Sequence, residues 1–306
     1  MDLAKFLIPD ESIQVWIGLN IILAWSFYIV LSTGQLNIGV GAFMALGAYG
    51  ASVASVKFGV PLFVAILLSA LVGAVTGTLV GFPALRVRGI YLAMMTIGVA
   101  EIVQALFRNL DYVGGPMGFR GMKGGSAWMI FLSVVVLGIF IWKLESSRLG
   151  RAFRATHDDE VVATTMGLNT TYIKVLAFAI GAAMASLAGG LYAHYARFIA
   201  PENFDIWQSF YPTFFVILGG TQTFWGAAFG AIVLTLLPEY FRPLHEWRVV
   251  IYGLVIVAML AYRPQGLISE TMIHNIFDFF RSIGSRLGRR RSAAAKRRPK
   301  GRAPAG

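Results

Sequence analysis

Long apolar runs separated by short polar breaks make up most of the 306-residue chain. A helix needs about 20 predominantly apolar residues to cross the hydrocarbon core of a bilayer. Nine runs approach that length, so the pattern predicts an all-α polytopic membrane protein with about nine transmembrane helices, within a range of eight to ten. The predicted spans are residues 13–31, 36–56, 61–82, 90–107, 127–143, 173–193, 207–222, 224–238 and 247–262.

The composition agrees with a membrane protein and removes other classes. Hydrophobic residues make up 57% of the chain, charged residues make up 13%, and cysteine is absent. These values exclude a disordered chain, a disulfide scaffold, and thiol or zinc chemistry that needs cysteine. The first apolar run has no basic segment before it and no small-residue cleavage site, so we expect a retained span rather than a signal peptide.

The net charge of +11 is concentrated near the C-terminus. Residues 281–302 hold ten Lys and Arg and no acid, which leaves 16 basic against 15 acidic residues elsewhere. Lys and Arg favour the cytoplasmic side of a membrane. With nine spans and the tail inside, the inside segments hold 18 of the 26 basic residues, so we predict an outside N-terminus and a cytoplasmic C-terminus. Without the tail the count is eight against eight, so the orientation depends on the tail and on the loop 143–174.

The tail has a pattern of its own. Over residues 268–291 apolar side chains recur every three or four positions between basic ones, which is typical of an amphipathic helix lying on the inner membrane face. Its basic charges would be attracted to anionic lipid of the bilayer. Residues 292–306 are mostly Ala, Lys, Arg, Pro and Gly, a composition typical of disorder. Nucleic-acid binding is the less favoured alternative, because the charge does not cover a folded surface.

Glycines at four-residue intervals indicate close helix packing. Small residues at this spacing let two helix backbones approach each other in a membrane. This feature is common to multi-helix transporters and does not identify a substrate. The glycines concerned are Gly73, Gly77, Gly81, Gly226 and Gly230.

The segment 144–172 is the longest polar stretch between predicted spans. Its first half is basic, and its second half predicts a short helix with His157 and three acidic residues over 158–160 at its start and Gly167 at its end. Such a helix can dock into a groove of a partner protein, and a plain surface connector is the alternative. The residues assigned to this loop are Arg151, Arg154, Asp158, Asp159, Glu160, Ala163, Met166 and Gly167.

Glu101 is an acid inside a predicted span. A charge at the bilayer centre costs about 2.5–3.5 kcal/mol on insertion scales, so we expect Glu101 to face the helix bundle or a water-filled cavity. Gln104 and Arg108 lie on the same helical face. The pattern indicates either a polar lining of a solute path or gate, or a structural hydrogen bond to a neighbouring helix.

A second polar feature is the break over residues 33–37. It is either a tight cytoplasmic turn, as the nine-span count assumes, or part of a discontinuous helix that presents backbone groups to a solute. The candidate translocation path comprises Glu101, Gln104, Thr96, Tyr91, Gln35 and Asn37.

The chain lacks the motifs of common enzymes. It contains no G-x-x-x-x-G-K-[ST] run for ATP phosphates, no His/Asp/Glu set with metal-ligand spacing, and no arrangement suited to a Ser-His-Asp triad. We therefore predict a chain that is not an enzyme and that has no cofactor or metal of its own.

Several segments resemble the permeases of branched-chain amino acid ABC importers, the LivH/LivM type. The loop residues 150–155, 158–160 and 166–167 are similar to the segment of that family that couples to the ATPase. The resemblance covers about residues 28–267. The other similar segments, in the order of the family, are residues 33–39, 47–49, 85–93, 96–102, 114–118, 187–193, 219–220, 225–226, 252–253 and 263–267.

This resemblance implies a transmembrane permease domain over 1–267 that translocates branched-chain or related hydrophobic amino acids. The implied partners are a second homologous permease or a second copy, two ATPase subunits that bind ATP and dock on the 144–172 loop, and a solute-binding protein outside. The chain departs from the family at Thr164, where a glutamate is usual, and at Gln104, where an arginine is frequent.

Two other functions remain open. Relatives in this family carry urea, short amides or aromatic acids, so the chain could be an ABC permease for one of these solutes. It could also be a self-contained secondary transporter, which would need several titratable groups in its spans and an internal repeat. The sequence has one intramembrane acid and no clear repeat, which favours the ABC permease.

Overall fold

The computed structural model describes residues 11–87 and 89–240, together with residues 250, 253, 254, 257, 258 and 261. Two strands of two residues each, β1 (Phe119–Arg120) and β2 (Phe198–Ile199), pair in antiparallel orientation. All other regular elements with defined bounds are helical. The α-helices are α1 (Glu11–Leu31), α2 (Val40–Lys57), α3 (Leu62–Ala84), α4 (Ile90–Asn109), α5 (Ala127–Ser146), α6 (Arg148–Asp158), α7 (Glu160–Thr165), α8 (Thr170–Ala196), α9 (Ile206–Gly219) and α10 (Phe224–Tyr240).

Six helices in the described residues are long and apolar enough to cross a membrane, namely α1 to α5 and α8. They coincide with the first six predicted spans. Their apolar composition leaves almost no polar stripe, as expected of helices whose surroundings are other helices or lipid tails. The predicted class, an all-α multi-pass membrane protein, is confirmed.

The central helix of the bundle is α8, which packs against α1, α2 and α3. The helices α2 and α3 approach α8 closely because their glycines face it. A Cβ atom added at Gly47 on α2 would lie 2.0 Å from the carbonyl oxygen of Ser186 on α8. On α3, Gly73, Gly77 and Gly81 lie in turn against Ser186, Ala182 and Phe178 of the same helix.

The helices α9 and α10 differ from the two separate spans that hydropathy predicts over 207–222 and 224–238. With its 14 residues α9 is only about 21 Å long, which is short of the hydrocarbon thickness. The segments Pro201–Gly219 and Phe224–Glu239 qualify as membrane-crossing only together, and they are bent by 115° at the break between them. The described residues therefore hold six candidate spans, or seven if this pair is one broken span.

The predicted total of about nine spans is not confirmed. The ninth predicted span, 247–262, and the basic segments 268–291 and 292–306 lie wholly or largely outside the described residues.

The connection between α1 and α2 is longer than predicted. After a turn at Gly34, whose φ is +78°, residues 35–39 are non-helical, and α2 starts only at Val40. This segment is covered by protein on nearly all sides, with Asn37 1% exposed. It is therefore a buried link within the bundle and not a solvent-exposed turn.

Candidate functional site

The predicted short helix is α7, and its two ends are capped as the sequence indicates. The Oδ1 atom of Asp159 accepts hydrogen bonds from the backbone N–H groups of Val161 at 2.8 Å and Val162 at 3.0 Å. At the other end Gly167 has a φ of +83°, and the amides of Gly167 and Leu168 bond back to the carbonyl oxygens of Thr164 and Ala163. This is the glycine-dependent Schellman arrangement.

The start of α7 differs from the prediction by a few residues. His157 and Asp158 belong to the last turn of the preceding helix α6, and Asp159 is the cap of α7 rather than part of it. A single helix over this region is prevented because the backbone at Asp159 is extended. The Nδ1 atom of His157 lies 3.0 Å from the carbonyl oxygen of Leu31 at the end of α1.

The exposed surface of α7 and its C-terminal cap carries three large apolar side chains beside Thr164 and Thr165. Val161 is 72% exposed, Val162 is 52% exposed, and Met166 is 79% exposed. Only Ala163 is buried against the bundle. Three large apolar side chains on a capped helix outside the spans are typical of a surface that a partner covers.

The base of α7 is attached firmly to the bundle. Glu160 forms an ion pair with Lys174 of α8, with 2.7 Å between the Nζ and Oε1 atoms. The preceding helix, α6, packs closely on the end of α5. A Cβ atom added at Gly150 of α6 would lie only 2.4 Å from the carbonyl oxygen of Leu144 on α5. The exposed side chains of Arg151 and Arg154 donate to the carbonyl oxygens of Ser146 at 3.2 Å and Glu145 at 3.5 Å.

A polar contact at the same end of the bundle was not predicted from the sequence. The hydroxyl of Tyr28 on α1 donates to Glu145 Oε1 of α5 at 2.5 Å, and it lies 3.3 Å from the carbonyl oxygen of Gln222 between α9 and α10. Through these two contacts Tyr28 connects α1 with α5 and with the α9–α10 turn, next to α6. The sequence signals for this contact were a tyrosine near the end of one span and a glutamate at the end of another.

Four of the candidate translocation residues lie on α4, and they differ in exposure. Glu101 and Tyr91 are exposed on the surface of this chain. Thr96 is 1% exposed and contacts the 35–39 segment. Gln104 is partly buried, and its Nε2 atom donates to the carbonyl oxygen of Pro201 at 3.0 Å. The assignment of these residues to a translocation path stays a prediction.

The buried group of candidate residues forms a structural link. The Thr96 hydroxyl accepts from the backbone N–H of Ile38 at 3.0 Å and donates to the carbonyl oxygen of Ala93 at 2.9 Å. The Oδ1 atom of Asn37 accepts from the N–H of Gly39 at 2.9 Å. The side chain of Gln35 lies 3.3 Å from the Thr33 hydroxyl. Thr96 and Asn37 thus satisfy backbone N–H groups that a non-helical segment leaves without helical partners.

Glycine contacts within the α9–α10 pair are also close. A Cβ atom at Gly230 would lie 2.0 Å from the carbonyl oxygen of Phe215, and one at Gly226 would lie 2.8 Å from that of Gly219. Within the part of the chain that the structure describes, no group of three or more His, Cys, Asp or Glu side chains is placed to hold a metal ion.

Comparisons with known proteins give a consistent result. The family model for the branched-chain amino acid transport system permease component matches residues 11–260. The chain is 33% identical to the high-affinity branched-chain amino acid transport system permease protein LivM of Salmonella typhimurium, over 83% of this chain and 67% of the relative. It is 32% identical to the protein of the same name in Escherichia coli, over the same shares.

A more distant similarity concerns another solute. The chain is 27% identical to the autoinducer 2 import system permease protein LsrC of Yersinia pseudotuberculosis, over 79% of this chain and 73% of the relative. No solved structure matches the chain significantly.

Proposed function

The chain belongs to the branched-chain amino acid transport system permease family, and from that premise we propose that it carries branched-chain amino acids through the membrane as one subunit of an ABC importer. It is a multi-pass membrane permease. The amino acid substrate is proposed because the LivM relatives are named for it and are more similar to this chain than the LsrC relative is.

The observation that carries this proposal is the exposed apolar surface of α7. The permease of an ABC importer receives its energy through contact with separate ATPase subunits. Val161, Val162 and Met166 form a compact apolar surface on a helix whose base is fixed by the Glu160–Lys174 ion pair. We assign this surface to the ATPase subunit, and we place α6 and α7 in the cytoplasm.

The same geometry supports a way for ATPase movement to reach the spans. A displacement of α6 and α7 acts on α8 through Glu160 of α7 and on α1 through His157 of α6. The proposed complex contains two ATPase subunits, a second permease and a solute-binding protein on the opposite side. ATP binding and hydrolysis would change the relative populations of outward-facing and inward-facing states through differential binding.

The docking assignment is tested with Val161→Asp in a complex purified with its ATPase subunits. Val161 is exposed and its side chain supports no described contact within the chain, so the bundle should fold normally. We expect loss of ATPase copurification and of ATP-dependent leucine uptake in proteoliposomes. The matched control is Ser12→Asp, which adds the same charge at an exposed position at the start of α1, outside the 144–172 loop. Equal ATPase binding by the two variants would contradict the assignment.

A secondary transporter is the alternative, and a direct comparison of energy sources separates the two. Proteoliposomes that contain the permease alone should show no leucine accumulation under an ion gradient. Uptake should require the ATPase subunits, ATP and the binding protein. Accumulation driven by the gradient alone would overturn the proposal.

A further inference from the structure

The exposed face of α4 carries a stripe with an unusual composition for a membrane helix. Met94, Gly98, Glu101, Ala105 and Arg108 follow one another at intervals of three or four residues, so they lie on one side of the helix. Glu101 lies near the middle of this 20-residue helix and is exposed. Among the described residues, none forms an ion pair with Glu101.

This stripe is unsuited to lipid contact. An ionised carboxyl group facing hydrocarbon is strongly disfavoured. The outward face of α5 is different, because it presents bulky apolar residues such as Val135 and Phe140 between Trp128 and Trp142 near its two ends. Tryptophan at both ends of an apolar span is typical of helices exposed to lipid. The exposed face of α3 is likewise formed by large apolar side chains.

The small residues beside Glu101 favour contact with another helix. No atom lies within 4 Å of the position that a Cβ atom would take at Gly98, and Ala105 is exposed one turn beyond Glu101. Small residues around a polar one let a second helix approach closely enough to bond to it. The described part of this chain leaves that space unfilled.

We propose that the α4 stripe is the contact surface for a second, non-identical permease subunit, which presents a cation or a hydrogen-bond donor to Glu101. This inference rests on the proposed function, because it assigns the surface used by one of the partners named there. A second copy of the chain fits less well. A two-fold axis through the stripe would bring two Glu101 carboxyl groups together, and like charges at a shared site oppose each other.

The first experiment maps the neighbour of the stripe directly. A photoreactive benzophenone amino acid replaces Ala105 in the full complex of both permeases and the ATPases, and Val135 on α5 is replaced in the control. After irradiation, mass spectrometry identifies any crosslinked protein. We expect a peptide of a different permease at position 105 and no protein adduct at position 135. A homotypic adduct at 105 would overturn the choice of partner, and no protein adduct there would overturn the interface.

The second experiment tests the role of the Glu101 charge. Glu101→Lys should lower copurification of the second permease by about tenfold or more, since placing like charges opposite each other in an interface costs several kcal/mol. Glu101→Gln keeps a polar group and should retain most of the partner. Val135→Lys controls for the general cost of a cation in a span. Equal partner recovery with Glu101→Lys and Glu101→Gln would contradict the proposal.

These outcomes are separable from those of the proposed function. If leucine uptake and ATPase copurification are normal while position 105 yields no permease adduct, the importer assignment stands and the α4 interface fails. If uptake needs no ATPase, the importer assignment fails regardless of the crosslink.

Discussion

At the scale of single residues, the spacing between helices depends on individual glycines, and α2 offers a matched pair. At Gly47 a Cβ atom would lie 2.0 Å from the Ser186 carbonyl oxygen, whereas at Gly50 the nearest atom is 3.8 Å away on Val72. We expect Gly47→Ala to lower the free energy of unfolding by about 1–3 kcal/mol through overpacking. Gly50→Ala should be neutral or stabilising by up to about 1 kcal/mol. Thermal unfolding in detergent measures both, and equal midpoints would mean that α2 and α8 pack less closely.

Asp159 gives a second prediction at this scale. Its Oδ1 atom accepts from the amides of both Val161 and Val162, so Asp159→Ala should destabilise the start of α7 by about 1 kcal/mol. Asp159→Asn keeps the acceptor and removes the charge. Hydrogen exchange at the two valine amides should therefore accelerate in the alanine variant and stay nearly normal in the asparagine variant. Similar acceleration in both would show that the charge matters more than the cap.

At the scale of elements, the non-helical segment 35–39, which follows α1, is held against α4 by the hydrogen bond between the Ile38 N–H and the Thr96 hydroxyl. Thr96→Val keeps the shape of the side chain but leaves the buried Ile38 N–H without its acceptor, which should cost about 1–3 kcal/mol. The control is Thr78→Val on α3, because the exposed Thr78 hydroxyl bonds only to Ala74 of its own helix. Unfolding midpoints of the two variants are compared, and an equal, small effect would show that water or another group replaces the Thr96 contact.

Sequence patterns predicted elements well where one physical signal dominates. Hydropathy identified α1 to α5 and α8, and the glycine signal identified the end of α7, whereas α7 starts a few residues later than predicted. The same signals do not predict the burial of Gln35 and Asn37, because polar residues in a turn and polar residues that satisfy a buried segment look alike in sequence. They do not predict what Glu101 contacts either, since its surroundings depend on a tertiary arrangement and on chains other than this one.

At the scale of the whole molecule, the course of the α9–α10 pair decides on which side the C-terminal residues lie. The pair follows β2, turns beside Tyr28 near the end of α1, and returns along α1 in the reverse direction. The carbonyl oxygen of Phe224 accepts from Trp25 Nε1 at 2.9 Å, and Thr235 Oγ1 accepts from Asn20 Nδ2 at 2.9 Å. The end of α10 is thus directed toward the side where α1 begins. Six crossings precede the pair, so both of its ends lie on that side.

A return of this kind predicts that one further span, 247–262, brings the basic tail to the side of α6 and α7. A single broken span would bring it to the opposite side.

The chain has no cysteine, so single substitutions report sidedness without background. We expect a membrane-impermeant maleimide to label Lys123→Cys in intact spheroplasts, and to label Thr165→Cys and Ser292→Cys only after permeabilisation. Lys123→Cys and Thr165→Cys are the controls for the two sides. If Ser292→Cys is labelled in intact spheroplasts together with Lys123→Cys, the α9–α10 pair crosses the membrane only once. If Thr165→Cys is labelled in intact spheroplasts, the orientation of the whole chain is the reverse of the prediction.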